Sequence, residues 1–394
     1  MRVSEPNLTG NDESATWTCT VQFDDGTERE LHYCLPSQYR HFLSDRADAA
    51  LAALLSPAMR CRERLYLDGP VSADLLHQVQ TDYVHVLARQ LPGHDPVEVR
   101  AGEVRSPSDR TSGVFTGFSA GIDSFATIAD HYLGELPDEL RISHLLYNNV
   151  GSHGSGGATK FWERYKRLRP VARELGLPFI PVDSNLSAFY EGSFASTHTP
   201  RNASVALLLQ PACGRFLYSS AYGYGDVGVW PTNSMAHADP IALPLLSTKA
   251  VQLRSVGSHI TRPQKAMRVA GIDASYTSLD VCIRSDVGVA NCSQCWKCLR
   301  TLLTFDIGGV LAYYADSFNL ELYRLKRNRY IASILASRAP LDREIVAFAH
   351  ERGFAFPRSA FARMPVAWGR KRVTAARRVA PDWLKDAARK ARRE

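Results

Sequence analysis

The chain has 394 residues, of which 45% are hydrophobic and 22% charged, and such a composition is typical of a globular protein with a buried core. It excludes whole-chain disorder, a collagen-like repeat and a small disulfide-stapled fold. Apolar runs such as residues 205–209 end too soon to cross a membrane, and residues 1–17 lack the pattern of a secretory signal. We therefore expect a cytoplasmic protein without a transmembrane segment.

The formal charge of +7 is concentrated near the C-terminal end. Residues 358–394 contain twelve Lys or Arg and three acidic residues, a net charge of +9, which leaves −2 for residues 1–357. The pattern predicts a nearly neutral folded body and a basic tail. The tail could bind a nucleic acid, an anionic membrane or an acidic partner, or remain solvated.

The N-terminal region, residues 1–112, is predicted to be an α+β domain. Alternating residues around the turn at Asp24-Asp25-Gly26 predict a β-hairpin over residues 15–35. Helical spacing of apolar residues predicts helices over 40–55 and 72–90, with a strand near Leu65 between them.

From Gly113 onward, short apolar runs alternate with helical segments. The predicted strands are 114–115, 142–147, 179–182 and 216–219, and the predicted helices are 124–133, 159–175 and 202–213. This alternation predicts an α/β domain, residues 113–310, with a doubly wound parallel sheet and ligands at the carboxyl ends of its strands. A helical C-terminal extension, residues 311–357, and the basic tail follow.

Residues 117–126, Gly-Phe-Ser-Ala-Gly-Ile-Asp-Ser-Phe-Ala, lie between a predicted strand and a predicted helix. A turn of small residues at a helix start lets backbone N–H groups approach an anion. Ser119 and Ser124 add hydroxyl groups, and Asp123 suits an anion site chiefly if Mg²⁺ bridges it to phosphates. The alternative interpretation is an ordinary capped helix after a glycine turn.

This segment resembles the Ser-Gly-Gly-x-Asp-Ser loop of the ATP pyrophosphatase family, also called the PP-loop family. The resemblance implies an adenine nucleotide alpha hydrolase-like fold and an ATP site formed by the loop, namely Ser119, Ala120, Gly121, Ile122, Asp123 and Ser124. Ala120 stands where the family has its first glycine. Because its methyl group disfavours positive φ, we expect an ordinary backbone angle there.

Four cysteines fall within a short segment: Cys282, Cys292, Cys295 and Cys298. Four thiolates at this spacing suit a tetrahedral Zn²⁺ ion, and because they fill its coordination shell the zinc is predicted to be structural. A group of buried free thiols and an iron–sulfur cluster are the alternatives.

The order of the motifs resembles that of the 7-cyano-7-deazaguanine synthase-like branch of the family. The loop is followed by Pro200-Arg201-Asn202, then by Pro244-Leu-Leu-Ser-Thr-Lys249, and then by the cysteines. The resemblance implies that Arg201 and Lys249 contact the ATP phosphates and act with Asp123 in catalysis. Surface ion pairs are the alternative for both cations.

Further candidates carry less specific signals. Asp226 is a candidate for magnesium or a substrate amine, and His237 and Asp239 for proton transfer, although a solvated loop is the simpler interpretation for that pair. His153 lies in a glycine-rich segment suited to a lid. Cys213 is expected in the core, on the apolar face of a helix.

We expect an ATP-dependent ligase that adenylates a carboxylate or amide oxygen, releases pyrophosphate and forms an amide or nitrile with a nitrogen nucleophile. Its expected substrate is a small-molecule or peptide carboxylate, and its cofactors are Mg²⁺ and structural Zn²⁺ beside ATP. Two alternatives stay open. One is a tRNA-modifying or thiolating enzyme of the same family; the other is an inactive nucleotide-sensing or partner-binding protein, which Ala120 would permit.

Overall fold

The structure, a computed structural model, describes residues 1–106, 108–153, 157–283 and 291–364. The chain divides into two compact units, Met1–Asp280 and Val281–Glu394. Of the basic tail, residues 365–394 lie outside the described part. No helix of the described part is long and apolar enough to cross a membrane.

The N-terminal part of the first unit forms mainly antiparallel strands and short helices. The strands are β1 (Arg2–Val3), β2 (Asn7–Gly10), β3 (Ser14–Gln22), β4 (Glu28–Pro36), β5 (Leu65–Ser72) and β6 (Val99–Arg105). The helices are α1 (Asp48–Cys61), α2 (Ala73–Gln78) and α3 (Val84–Gln90). Strands β3 and β4 pair antiparallel over their whole length, which confirms the predicted hairpin. The helix predicted over 72–90 is present, with a π-helical turn at Val79–Tyr83.

The rest of the first unit alternates strands and helices, as the sequence predicts up to residue 219. The strands are β7 (Gly113–Gly117), β8 (His144–Asn149), β9 (Phe179–Ser184), β10 (Cys213–Ser219) and β11 (Gln252–Val256). The helices are α4 (Ile122–Ile128), α5 (Gly157–Glu174), α6 (Phe194–Leu208), α7 (Asp239–Ala242), α8 (Arg262–Val269) and α9 (Ala274–Ser278). The protein is therefore an α/β protein.

These five strands are parallel and lie in the order β11-β10-β7-β8-β9. The chain builds outward from β7 through β8 to β9, then returns to the other side of β7 to form β10 and β11. The direction of winding thus reverses between β7 and β10. In open parallel sheets, such a reversal leaves a crevice at the carboxyl ends of the strands.

The N-terminal strands belong to the same sheet. Strand β4 pairs antiparallel with β9 at Tyr33↔Ser184 and Cys34↔Asp183, and the described strands form one mixed, 11-stranded sheet. The Tyr33 hydroxyl lies 2.8 Å from the Ser204 hydroxyl on α6, so the hairpin is also tied to a helix of the parallel part. The predicted boundary at residue 112 falls between β6 and β7.

Helix α6 differs from the prediction at both ends. It begins at Phe194, eight residues before the predicted start, because the Ser193 side chain accepts a hydrogen bond from the Ala195 N–H and caps the helix. It ends at Leu208, so Cys213 is the first residue of β10 and not part of a helix. Cys213 is nevertheless buried, as a core residue should be.

The second unit is helical where it is described. Its helices are α10 (Trp296–Ile307), α11 (Leu320–Leu335) and α12 (Pro340–Glu351). Phe305 stacks on Tyr314 with ring centroids 3.9 Å apart. Asp306 accepts hydrogen bonds from the Tyr323 hydroxyl at 2.8 Å and from Arg327 Nε at 2.5 Å, which ties α10 to α11.

Candidate functional site

The predicted loop lies at the reversal point of the sheet. Residues 118–121 connect the carboxyl end of β7 to α4, and the helix continues from α4 through a π-helical turn to Leu133. The Thr127 hydroxyl on α4 lies 2.7 Å from the Ser219 hydroxyl at the end of β10. The loop therefore lies beside the crevice between β7 and β10, where an α/β sheet places its ligand.

Ala120 has a left-handed backbone, which corrects the expectation of an ordinary angle. Its φ is +54°, whereas Gly121 is extended, with φ −84° and ψ 170°. A left-handed conformation costs a residue with a Cβ about 1–2 kcal/mol. Burial of the Ala120 methyl group, which is 0% exposed, offsets part of this by about 0.8 kcal/mol. The loop therefore adopts at Ala120 a conformation that glycine would adopt more easily.

The loop side chains divide into solvent-facing and structural groups. Ser119 is exposed, so its hydroxyl is available to a ligand. The Ser124 hydroxyl donates to the Gly121 carbonyl at 3.1 Å, and Ile122 is buried in the core. Ser119 and Asp123 are thus the loop side chains that best suit ligand binding.

Asp123 lies between two cations of α8. Arg262 Nη1 donates to Asp123 Oδ2 at 2.7 Å, and Lys265 Nζ lies 3.7 Å from Asp123 Oδ1. A capping box between Thr261 and Gln264 fixes the start of α8 and hence the position of both cations. The two cations therefore account for a carboxylate at this position without a metal ion. The sequence argument for Mg²⁺ did not consider these cations.

Lys265 is a buried cation at the carboxyl ends of two strands. Its side chain is 3% exposed, and Nζ donates to the Ser220 carbonyl at 2.6 Å and lies 2.8 Å from the Ser220 hydroxyl, just after β10. Gly257, just after β11, has φ +87°, and a Cβ built on it would lie 3.2 Å from Lys265 Cε. Glycine at this position leaves room for the lysine side chain.

The charged groups beside the loop are one carboxylate, Asp123, and two cations, Arg262 and Lys265. The Asp123 and Arg262 side chains are partly buried, at 25% and 16% exposed, so water screens their charges incompletely. The arrangement can bind an anion that meets the loop N–H groups on one side and α8 on the other.

Lys249 lies at the opposite edge of the strands. It precedes β11, so it is at the amino end of that strand, whereas the loop follows the carboxyl end of β7. Its Nζ pairs with Asp109 at 2.7 Å and its side chain is 64% exposed. The structure thus does not bring Lys249 to the loop. Arg262 and Lys265, which sequence reasoning missed, lie there instead.

Arg201 is buried on α6, near the end of β8. Its Nη1 donates to the Val150 carbonyl at 3.1 Å, its Nε donates to the Thr197 hydroxyl at 3.0 Å, and its guanidinium lies 3.7 Å from the Tyr190 ring centroid. Burial lowers the pKa of Arg201. Through these contacts Arg201 holds the loop that follows β8. That loop lies at the carboxyl edge of the strands, as the predicted site does.

A pocket of about 250 Å³ lies on the other side of Tyr190, beyond the end of β9. Arg29 from the β3–β4 hairpin and Arg60 from α1 line it, together with three acids, Asp25, Glu63 and Glu191. Because β4 runs antiparallel to β9, Arg29 lies toward the carboxyl edge of the parallel strands. The pocket can accept a polar molecule.

The four cysteines come together as predicted. Their sulfur atoms all lie within 4.8 Å of one another, including Cys282–Cys295 at 4.0 Å, Cys292–Cys298 at 4.0 Å and Cys295–Cys298 at 3.5 Å. Metal–sulfur distances of about 2.3 Å in a tetrahedron place sulfurs about 3.8 Å apart, so the cluster fits one metal ion.

Local hydrogen bonds orient the cysteine loop. The Cys295 N–H donates to Cys292 Sγ at 3.3 Å, and the Cys298 N–H donates to Cys295 Sγ at 3.5 Å. Hydrogen bonding from Cys298 and from backbone groups lowers the pKa of Cys295. These donors favour thiolate at the position where a metal ligand is needed.

The remaining candidates lie in different surroundings. The His237 ring lies 2.8 Å from the Asp226 carbonyl through Nδ1 and stacks on Tyr222 with centroids 3.8 Å apart. His153 is buried beside the Tyr147 hydroxyl at 3.0 Å, and burial lowers its pKa to about 4.

Asp239 is not in a solvated loop, contrary to the simpler interpretation of the sequence. It is 0% exposed, and Thr199 donates to its Oδ1 at 2.5 Å. Burial raises the pKa of Asp239 to about 7.

Comparisons with protein-family models, with curated proteins and with solved structures found no match.

Proposed function

We propose that the protein is an ATP-dependent, adenylate-forming enzyme of the PP-loop type, with an adenine nucleotide alpha hydrolase-like fold. The observation that carries the proposal is the position of the loop 118–121. It follows the central strand β7, at the reversal point of a parallel sheet, and faces the α8 cations Arg262 and Lys265. A polyphosphate is a ligand that needs backbone N–H groups and fixed cations together.

In the proposed reaction, the loop N–H groups and the Ser119 hydroxyl hold the phosphates. A substrate carboxylate or amide oxygen attacks the α-phosphorus, and the bond to pyrophosphate breaks. Lys265 and Arg262 stabilise the negative charge that develops on the departing pyrophosphate, because preorganised cations in a partly buried site act more strongly than in water. A nitrogen nucleophile then displaces AMP from an adenylated carboxylate to form an amide, whereas an adenylated amide loses AMP and a proton to form a nitrile.

Asp123 has two roles in the proposal. Its ion pairs orient Arg262 and Lys265, and its carboxylate is the hard oxygen donor that would hold Mg²⁺. When bound, Mg²⁺ would neutralise charge on the phosphates.

We propose that the four cysteines hold one Zn²⁺ ion with a structural role. Four sulfurs complete the tetrahedral shell, which leaves no position for a substrate. The cysteine loop would then be stabilised by the metal rather than by a large apolar core.

The test is product analysis after incubation with ATP, Mg²⁺ and a panel of carboxylates and ammonia. We expect AMP and pyrophosphate, detected by mass spectrometry, in the presence of the correct substrate. Asp123→Asn should lower the rate about a hundredfold or more, as expected for removal of a transition-state interaction worth about 3 kcal/mol. Formation of ADP and phosphate would place the attack at the γ-phosphorus and contradict the proposal.

A further inference from the structure

Helix α5 presents one face of cations and an aromatic ring to solvent. Trp162, Lys166, Arg169 and Arg173 are all exposed. Their spacing of four, three and four residues places them within about 60° of one another around a helix of 3.6 residues per turn. The opposite side of the helix packs on the sheet through Phe161, Leu168, Val171 and Ala172. We call the four exposed residues the α5 stripe.

The three cations of the α5 stripe form no ion pair with any residue that the structure describes. The neighbouring arginines Arg164 and Arg167 differ, because they pair with Asp280. The exposed acids of the helix, Glu163 and Glu174, lie about 100° round from the stripe. The stripe therefore presents three cations that are available to a partner.

Trp162 is held in place while remaining open to solvent. The residue is 39% exposed, and its ring meets the rings of Phe161 and Tyr165 at 71° and 88°, with centroids 5.0 Å and 5.7 Å apart. Exposed Trp296 differs, because Arg300 and Lys297 lie over its ring at 4.7 Å and 5.7 Å. In the described part of the chain, no lysine or arginine covers Trp162 in this way.

One end of the stripe lies toward the carboxyl edge of the parallel strands. Helix α5 starts after the carboxyl end of β8 and runs back to the amino end of β9. Trp162 therefore lies toward the carboxyl edge, where the loop after β7 lies, and Arg173 lies farther from it. Along the axis, Lys166, Arg169 and Arg173 are separated by about 4.5 Å and 6 Å, at 1.5 Å per residue.

We propose that the α5 stripe binds a single-stranded nucleic acid, with a base stacked on Trp162 and phosphates on the three cations. An aromatic ring that is rigid and exposed offers a face for any base, and a row of cations follows a backbone that carries regularly spaced charges. A double helix would leave its bases inaccessible to Trp162. Binding to a membrane surface would require several exposed apolar side chains, and the stripe has one, Trp162.

The test is fluorescence anisotropy with the full-length protein and labelled 12-nucleotide RNA and DNA strands of one sequence, at several salt concentrations. The triple variant Lys166→Gln, Arg169→Gln, Arg173→Gln should weaken binding at least tenfold. It should also reduce the slope of log Kd against log salt by about 2, at about 0.7 for each phosphate that the protein no longer neutralises. Its matched control removes the same charge from exposed positions of α11: Arg324→Gln, Lys326→Gln and Arg329→Gln.

Trp162→Ala should weaken binding about tenfold without changing the salt slope, because stacking does not release counterions. Trp230→Ala is its control, since Trp230 is also 39% exposed. Comparison of RNA with DNA identifies which strand is the natural ligand.

Equal losses in the two triple variants would contradict the inference, since binding would then follow total charge and not the stripe. Tighter binding to anionic lipid vesicles than to either strand would also overturn it, as would no binding to either strand at low salt. Because every substituted side chain is exposed, unchanged thermal melting should accompany each variant.

Discussion

Two lysines of the same chain lie at opposite edges of the parallel strands. Lys265 is buried beside Asp123 at the carboxyl edge, whereas exposed Lys249 pairs with Asp109 at the amino edge. If ATP binds at the loop, Lys265→Met should weaken pyrophosphate and ATP binding tenfold or more, because a partly desolvated cation is removed from the phosphates. Isothermal titration calorimetry measures both affinities.

Lys249→Met is the matched control for Lys265→Met. We expect its effect on either affinity to be less than twofold, because an exposed ion pair contributes little. Thermal melting checks that Lys265→Met remains folded. Equal effects of the two substitutions, in proteins that both remain folded, would remove Lys265 from the proposed phosphate site.

Asp239 couples folding to pH because it is buried with a raised pKa of about 7. Its ordinary pKa is near 3.8, so between about pH 4 and pH 7 the folded protein holds a proton that the unfolded chain has released. Raising the pH through this window therefore lowers the free energy of unfolding, by up to about 4 kcal/mol from this group. Above about pH 7 its contribution becomes constant.

Asp239→Asn removes this titration while keeping an uncharged side chain of similar shape. We expect the variant to gain stability relative to the unchanged protein on going from pH 5 to pH 8, because only the unchanged protein then carries a buried charge. Thermal melts of both proteins at the two pH values measure the difference. A melting difference that is the same at both pH values would show that Asp239 does not retain its proton.

At the scale of elements, the sequence predicts whether a segment is a strand or a helix better than it predicts the residues at which the segment begins and ends. The alternation after Gly113 gives the strands and helices of the parallel part because buried strands and amphipathic helices have different apolar periods. The start of α6 was missed because a single capping serine, Ser193, is a weak signal. Lys249 lies at the amino edge of the parallel strands because β11 begins after it. No clear apolar run in the sequence marks the start of β11.

The cysteine loop is an element whose stability should depend on its metal. We expect purified protein to contain about one zinc per chain, and Cys295→Ser to lose most of it, because one of four sulfur ligands is replaced by a weaker donor. Loss of zinc should lower the melting temperature by at least about 5 °C, since metal binding stabilises the folded loop. Elemental analysis and calorimetry are the measurements.

Cys61→Ser is the control for Cys295→Ser, because Cys61 is exposed and lies on α1, outside the cluster. It should leave both the zinc content and the melting temperature unchanged. Protein that contains iron instead of zinc would replace the zinc assignment with an iron–sulfur one. Metal-free protein whose melting is unaffected by Cys295→Ser would contradict any metal at this loop.

At the scale of the molecule, the continuity of the sheet could not be read from the sequence. The hairpin β3–β4 is predicted by local pattern, but its pairing with β9 joins residues about 150 positions apart. Such pairing depends on which strand edges remain unpaired after the parallel part has formed, and apolar periods do not encode it. A sequence argument therefore predicts two domains where the structure has one sheet.

The distribution of charge leads to a prediction for the whole chain. Residues 365–394 contain ten Lys or Arg and three acidic residues, a net +7, so residues 1–364 have a formal net charge of zero. A cut after Met364 is preferable to one before Arg358, because Ala360 is buried and Ser359 accepts a hydrogen bond from Asn328.

Truncation after Met364 should change the affinity for Mg²⁺-ATP less than twofold, since the loop, Arg262 and Lys265 all belong to the first unit. Calorimetric titration of both proteins at two salt concentrations measures this, with isoelectric focusing to confirm the loss of charge. A tenfold weaker affinity after truncation would mean that residues 365–394 contribute to the nucleotide site.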